Sequence, residues 1–189
     1  MLTSAEVPVD RLARLEEEIE RLQERVRAAE ERLPRNAATF CVLSGEYERV
    51  MAALMLAHMA AALEMEVTMF FTFWGVQAIR SKRRYGGKSV IEKALSAMLA
   101  GGIGGLSSGK LNFAGAGPVL FERLMREKNI ASPAELLDGI EASGIRLVAC
   151  TTSMEVFGIG PDELLPGVTC CGASQFLEIA SRSRVTLLL

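Results

Sequence analysis

Apolar positions along this chain follow two kinds of spacing, and each predicts a different kind of element. In residues 10–33 they recur in alternating steps of three and four, which is the heptad pattern of a coiled coil. From residue 37 onward, compact apolar runs of strand length alternate with longer helical patterns, which predicts a mostly parallel, doubly wound α/β sheet. We therefore expect an N-terminal coiled-coil helix in residues 1–35 and an α/β domain in residues 37–189.

The heptad region carries a narrow apolar stripe. Its a positions are Leu12, Ile19, Val26 and Leu33, and its d positions are Leu15, Leu22 and Ala29. Arg25 at a g position precedes Glu30 at the following e position, so a parallel pair would join opposite charges. A single amphipathic helix lying on its own domain is the alternative, but the narrow stripe favours self-association. Pro34 ends the predicted helix, and Arg35-Asn36 forms a short linker.

The α/β region contains about five predicted strands. These are residues 39–43, 67–73, 145–149, 168–171 and 185–189, separated by predicted helices at residues 47–63, 90–100, 118–127, 132–142 and 173–180. The helix at 132–142 has a typical start, with Ser132 as N-cap, Pro133 at the first position and Glu135 at the third. A glycine-rich stretch, residues 101–117, is expected to be a flap or a loop packed against another subunit.

Composition excludes several classes of function. With 189 residues, half of them hydrophobic, the chain suits one domain plus an appendage. A net charge of −2 argues against nucleic acid as a partner, because phosphate binding needs a basic surface. The N-terminus has no signal-peptide pattern, and four cysteines are too few for a secreted disulfide scaffold, so we expect reduced thiols in a cytoplasmic protein. The apolar stretch 67–79 is too short to span a bilayer, which leaves only peripheral membrane contact open.

Cys150 is the cysteine whose surroundings best suit a reactive thiol. It directly follows the predicted strand 145–149, and Glu155 begins a predicted helical turn. At the carboxyl end of a parallel strand, it would stand at the sheet edge where open α/β proteins place their ligands. Backbone N–H groups and the positive end of the following helix would favour the thiolate. The alternative is an inert buried cysteine, since free cysteines are among the most buried residues.

The other cysteines and the single histidine have less distinctive positions. Cys41 lies in mid-strand and is predicted to be core. Cys170 and Cys171 end a strand and should face opposite sides of the sheet, so one of them is a candidate second thiol if that strand neighbours Cys150. His58, in the middle of a helix, is predicted to be a packed or surface residue. We expect no metal site and no bound cofactor.

Two further motifs carry little functional signal. Residues 104–110 (Gly-Gly-Leu-Ser-Ser-Gly-Lys) resemble a phosphate-binding loop, but Leu111 replaces the magnesium-binding Ser or Thr, and a helix rather than a strand precedes the loop. Lys82, Arg83 and Arg84, with Arg80 and Lys88 nearby, form the one basic cluster. It is interpreted as a solvated loop, with an acidic partner or anionic lipid as the alternative.

With these residues in view, the chain resembles the DsrE/DsrF/DsrH-like family, most closely its peroxiredoxin-like (DsrE-like) branch. The resemblance is carried by Phe-Phe-Thr-Phe-Trp-Gly at 70–75 and Cys-Thr-Thr-Ser-Met at 150–154. It implies a flavodoxin-like α/β domain that assembles into trimers or hexamers and relays sulfane sulfur as a persulfide on the cysteine matching Cys150. Some relatives carry a further cysteine in the glycine-rich region, and this chain has none between Cys41 and Cys150.

The leading hypothesis is therefore a sulfur-relay protein that loads a persulfide on Cys150 and passes the sulfur to a partner carrier protein. Backbone N–H groups and hydroxyls of Thr151, Thr152 and Ser153 are the candidate donors that would stabilise it. One alternative is a non-catalytic oligomeric adaptor in which the coiled coil has the main role. Another is a thiol-disulfide oxidoreductase that uses Cys150 with Cys170 or Cys171.

Overall fold

A computed structural model describes residues 9–30, 33–107 and 116–189 of the chain. Two compact units are present, Met1–Pro34 and Arg35–Leu189. The first contains helix α1, Val9–Glu30, so the predicted N-terminal helix is confirmed, although it ends before Pro34. Its five apolar a and d side chains between Leu12 and Val26 are each about half exposed.

The second unit is built on a five-stranded sheet. Its strands are β1 (Arg35–Val42), β2 (Glu66–Phe71), β3 (Arg146–Cys150), β4 (Thr169–Cys171) and β5 (Ser183–Leu188). They lie in the order β4-β3-β2-β1-β5, and every neighbouring pair is parallel. The predicted α/β architecture is therefore confirmed. Arg35 and Asn36, expected in a linker, belong to β1, because Arg35 already pairs with Ser183 of β5.

Within the described residues, six α-helices accompany these strands. They are α2 (Tyr47–Ala62), α3 (Val90–Met98), α4 (Ala116–Glu127), α5 (Pro133–Asp138), α6 (Thr151–Phe157) and α7 (Ala173–Ser181). Helix α5 begins as predicted, with Ser132 accepting a hydrogen bond from Glu135 N and the Glu135 carboxylate accepting one from Ser132 N. Helix α6 begins four residues earlier than the predicted turn at Glu155, directly after Cys150.

The sheet buries a core on each face, which explains why its strands β1, β2 and β3 contain continuous, largely apolar runs. The larger core packs Phe40, Met69 and Phe71 against apolar residues of α2 such as Leu54. The smaller core lies on the opposite face and contains Cys41, Phe70, Val148, Cys150 and Cys171. Helix α7 covers this second face, where the Phe176 ring stacks on Phe70 at 4.5 Å between centroids.

The basic cluster is not simply a solvated loop, as the sequence had suggested. Arg80 is only 2% exposed, and its guanidinium pairs with the buried Glu163 carboxylate and donates to Ser96 Oγ at 2.7 Å. Lys88 pairs with the same carboxylate. Burial raises the pKa of Glu163, but hydrogen bonds from Lys88 and Arg80 outweigh it and lower that pKa to about 2. The cluster thus ties the segment 80–88 to the loop before β4.

Three other predictions concern single segments. His58 is a packing residue that joins α2 to α5, because its Nε2 lies 2.8 Å from the Leu136 carbonyl oxygen. Residues 108–115 of the glycine-rich stretch, and with them Lys110 and Leu111, lie outside the described residues. Across the described ranges, none of the helices has the length and apolar character needed to cross a bilayer.

Candidate functional site

Cys150 occupies the junction between β3 and α6. It is the last residue of the strand and the N-cap of the helix, in an extended conformation. The first N–H groups of a helix have no partner within the helix itself. Two of them, from Thr152 and Ser153, donate hydrogen bonds to the Cys150 sulfur. The residue is 5% exposed, so a reaction partner reaches the sulfur only after neighbouring side chains move.

Two hydroxyl groups complete the polar surroundings of this sulfur. Thr72 follows the end of β2, the strand beside β3, and its side chain bonds to the Cys150 sulfur, as does the Ser153 hydroxyl. Thr72 Oγ1 and Ser153 Oγ are also 2.9 Å apart, and Ser153 Oγ accepts from Phe73 N at 2.8 Å. Thr72 and Ser153 are both buried, so these hydrogen bonds form away from water.

These donors outweigh the effect of burial on the thiol. Burial raises the pKa of Cys150 and is the largest single influence. Hydrogen bonds from the Thr72 hydroxyl, from the backbone and hydroxyl of Ser153 and from the Thr152 backbone act in the opposite direction and together leave the pKa below its ordinary value. The thiolate is the nucleophilic form of cysteine, so this site favours the reactive state.

The number of hydroxyl protons limits how many hydrogen bonds Thr72 and Ser153 can donate to the sulfur at one time. Thr72 and Ser153 have one hydroxyl proton each, and their mutual contact uses one of them. The other proton is then free for the sulfur, together with the two backbone N–H groups. The site therefore presents about three donors at a time to the thiolate, and a change at either hydroxyl redistributes the protons at the other.

The turn after β2 places Thr72 against the sulfur. Phe73 has a φ of 45°, an unusual left-handed conformation for a residue other than glycine. Gly75 N donates to Thr72 O at 2.9 Å and to Leu43 O at 3.0 Å. A β-carbon on Gly75 would lie 2.2 Å from the Val42 carbonyl oxygen, so only glycine lets this turn pack against β1.

The remaining predicted site residues separate onto two sides of the sheet. Cys171 pairs in register with Cys150 and shares its buried cluster. Cys170 is exposed and faces the other side, with its sulfur 3.7 Å from Met154 Sδ. Together with the Thr151 side chain, Cys170 lines a cleft of about 700 Å³ that is bordered by Arg84 and Lys88. The expected hydroxyl donor Thr151 thus lies at this cleft, and Thr152 contributes its backbone rather than its exposed side chain.

The four thiols differ in how readily they ionise. Burial, with a smaller contribution from the nearby Cys150, raises the pKa of Cys41 to about 11. Burial likewise raises the pKa of Cys170 and of Cys171, with Cys150 adding to the effect at Cys171. Cys150 is therefore the thiol of the four whose pKa the structure lowers. Among the described residues, no group of three or more His, Cys, Asp or Glu side chains is arranged to hold a metal ion.

Comparison with known proteins identifies the class of protein. The model of the DsrE/DsrF/DrsH-like family matches residues 35–188, so the chain belongs to this family. The α/β unit with Cys150 lies within the matched range, and helix α1 lies outside it.

Two curated relatives and one solved structure are informative. The uncharacterized protein YrkE of Bacillus subtilis is 34% identical over 152 residues, covering 80% of this chain and 95% of that protein. The sulfur carrier protein DsrE2 of Allochromatium vinosum is 28% identical over 136 residues, covering 70% of this chain and 84% of that protein. The crystal structure of YchN from E. coli shares the fold, with a TM-score of 0.50 and 13% identity, covering 81% of this chain and 99% of that one. Sulfur relay is thus supported at the level of the family.

Proposed function

We propose that this protein is a sulfur carrier that holds sulfane sulfur as a persulfide on Cys150 and passes it to a partner carrier protein. The main support is the set of donors around one buried sulfur, which lowers the pKa of Cys150 where burial alone would raise it. The similarity to the sulfur carrier DsrE2 supports the same chemistry.

Loading would begin with the Cys150 thiolate attacking a sulfane sulfur of the donor. A new S–S bond forms at Cys150 as the S–S bond of the donor breaks, and the shortened donor leaves with the electron pair. No outside oxidant or reductant is needed, because sulfane sulfur is already at the required oxidation level. The hydrogen bonds from Thr72, Thr152 and Ser153 lower the pKa of Cys150 and so favour the thiolate that attacks.

Unloading to a partner would depend on the same hydrogen bonds, which would then stabilise Cys150 as the leaving thiolate. A thiolate of the partner attacks the terminal sulfur of the persulfide, and Cys150 leaves as a thiolate. Thiols of low pKa leave faster in such exchanges. The donors that favour ionisation of Cys150 therefore assist both the loading and the release of sulfur. Because Cys150 is 5% exposed, each step requires an opening of the site, which the partner protein would provide.

Loading can be tested on the full-length, reduced protein with inorganic polysulfide as the donor. We expect the wild type to gain the mass of one sulfur, mapped to Cys150 after alkylation and digestion. The gain should be lost in Cys150→Ser and kept in Cys170→Ser, a matched control that removes an exposed thiol of the neighbouring strand. Retention of the added sulfur in Cys150→Ser would refute the proposal.

Helix α1 supports a second part of the proposal, that the protein is a homo-oligomer held in part by a coiled coil. Ile19 and Val26 at a positions are each 53% exposed in the helix, so their apolar surface is available to a second copy. Ile19→Asp with Val26→Asp in the full-length chain should lower the molar mass measured in solution. Ala13→Asp with Ala28→Asp, off the a and d seam, should leave the mass unchanged. Equal masses for both double variants would contradict a coiled coil.

A further inference from the structure

Cys171 lies directly beside Cys150 in the sheet. The two residues are Cα partners in the parallel register of β3 and β4, and both belong to the small apolar cluster under α7. Neighbouring strands run about 4.8 Å apart. Disulfides join Cα atoms that are about 4.4–6.8 Å apart, so this pair of strands brings the two thiols within bonding range without a rearrangement of the backbone.

The other two cysteines do not have this relation to Cys150. Cys170 pairs with Ala149 and its sulfur contacts Met154 on the opposite face of the sheet. Cys41 is on the same face, but it belongs to β1, and β2 lies between β1 and β3. Two strand spacings separate it from β3 by roughly 9.6 Å, well beyond disulfide range. The register therefore singles out Cys171.

We propose that Cys171 is a resolving thiol that discharges the Cys150 persulfide as hydrosulfide and leaves a Cys150–Cys171 disulfide. The inference rests on the proposed persulfide function. The Cys171 thiolate attacks the inner sulfur, Cys150 Sγ, and forms the new S–S bond. The bond between Sγ and the terminal sulfur breaks, and the terminal sulfur leaves as HS⁻ with the electron pair. Two electrons pass from the thiol to the sulfane sulfur, so the step needs no other oxidant.

Position decides which sulfur each thiol attacks. Cys171 is in register with Cys150 and lies beside Sγ at the strand end, whereas the terminal sulfur of a persulfide would extend beyond Sγ. Internal attack therefore releases sulfide, and external attack transfers the sulfur. The two outcomes compete for the same loaded protein.

The surroundings of Cys171 make the internal step slow. The residue is buried, and burial together with the Cys150 charge raises the pKa of Cys171, while Arg146 lowers it by a smaller amount. Only a small part of this thiol is ionised at neutral pH, and the thiolate is the attacking form. A loaded protein thus has time to meet a partner before the sulfur is lost, and unused sulfur is discharged afterwards.

The test follows the full-length protein after loading with polysulfide and removal of the excess. We expect the wild type to release sulfide without added reductant, while its persulfide mass is replaced by that of a disulfide mapped to Cys150 and Cys171. Cys171→Ser and Cys171→Ala should both load, keep the persulfide and lose sulfide release. Cys170→Ser, a change at the adjacent residue, should behave as the wild type. Two substitutions at Cys171 guard against a folding defect in either one.

The outcomes distinguish this step from the function on which it rests. If every variant that keeps Cys150 loads sulfur there, the carrier proposal stands. If Cys171→Ser or Cys171→Ala then releases sulfide at the wild-type rate, the resolving role of Cys171 is overturned. A disulfide that maps to Cys41 or Cys170 overturns it as well. If sulfur does not load on Cys150 in any protein, the carrier proposal fails, and the resolving step fails with it.

Discussion

Thr72 provides the sharpest test of how the site activates Cys150. The substitution Thr72→Val keeps the β-branched shape and removes the hydroxyl that bonds to the sulfur. Because Thr72 is buried, no water replaces the lost donor without a rearrangement. We predict that the variant folds normally but holds its Cys150 thiolate less well, so that the pKa of Cys150 rises toward its ordinary value.

The size of the rise in the pKa of Cys150 depends on how the Thr72 and Ser153 hydroxyls share their protons. A hydrogen bond to a charged group contributes about 1.5–3 kcal/mol. About 1.5 kcal/mol is the upper limit, because the Ser153 proton is no longer shared with Thr72 and can turn to the sulfur in place of the lost donor. A loss of about 1.5 kcal/mol reduces the thiolate population at low pH roughly tenfold. A more basic thiolate is also a better nucleophile, with a Brønsted coefficient of about 0.4–0.5, so the alkylation rate should fall by at most about three- to fivefold.

The dependence of nucleophilicity on thiol pKa also predicts that the curves of labelling rate against pH for Thr72→Val and the wild type cross. Above both pKa values the thiols are fully ionised, and the more basic thiolate of Thr72→Val should react faster than the wild type, by up to about threefold. The assay is the rate of iodoacetamide labelling at Cys150, measured by peptide mass spectrometry across a pH series. Thr152→Val is the matched control, because it removes an exposed hydroxyl and keeps the backbone N–H that bonds to the sulfur.

Two results would refute this reasoning. A Thr72→Val profile that superimposes on that of the wild type would mean that the hydroxyl does not stabilise the thiolate. A rate that is lower by the same factor at every pH would mean that the substitution changes access to the sulfur and not its ionisation.

Three further predictions concern the surroundings of the site. Glu163→Gln leaves the buried Arg80 guanidinium without its charge partner and should lower the free energy of unfolding by about 3–5 kcal/mol in urea titrations. Asp162→Asn, in an exposed ion pair, should cost less than about 1 kcal/mol. Similar losses in the two variants would contradict a stabilising role for the buried ion pair. Gly75→Ala should displace the turn that carries the Thr72 hydroxyl and slow the labelling of Cys150. Gly86→Ala, whose β-carbon meets nothing within 4 Å, should leave the labelling rate unchanged. An unchanged rate in both variants would show that the turn tolerates a β-carbon at Gly75. The pKa of Cys41 is raised from 9.0 to about 11, so its neutral form contributes stability that is complete below pH 9 and is lost as the pH rises to about 11. Over that interval, the free energy of unfolding of Cys41→Val should therefore fall by about 2–3 kcal/mol less than that of the wild type. Parallel curves of unfolding free energy against pH would argue against a buried neutral thiol.

Much of this fold could be predicted because its signals are local. The strands β1, β2 and β3 contain continuous buried runs that are largely apolar, and strands buried on both faces have that composition whatever their order. The start of α5 was predictable from Ser132, Pro133 and Glu135, since a capping box depends on only four residues. The position of Cys150 at the end of a strand followed in the same way. Errors lay at boundaries: β1 begins at Arg35, where pairing with β5 extends the strand into polar sequence.

The partners of Cys150 could not be predicted, because they depend on which strands are neighbours. Thr72 and Cys150 are far apart in the chain and meet only because β2 lies beside β3. The apolar run across 67–73 also concealed the end of β2, which stops at Phe71 and leaves Thr72 in the turn. The choice between Cys170 and Cys171 required the register of β4 as well, since a shift of one residue exchanges the two faces.

Burial of Cys150 has two opposing effects, and their balance determines what the site can do. Desolvation alone would leave a neutral, inert thiol, as the structure leaves Cys41. At Cys150 the backbone N–H groups of Thr152 and Ser153, which have no partner within α6, and the hydroxyls of Thr72 and Ser153 replace the lost water. Because Cys150 is only 5% exposed, its sulfur is largely shielded from oxidants and thiols in solution. It would still react with a donor that opens the site, and under the resolving step proposed above Cys171, its neighbour in the sheet, would decide how long bound sulfur persists.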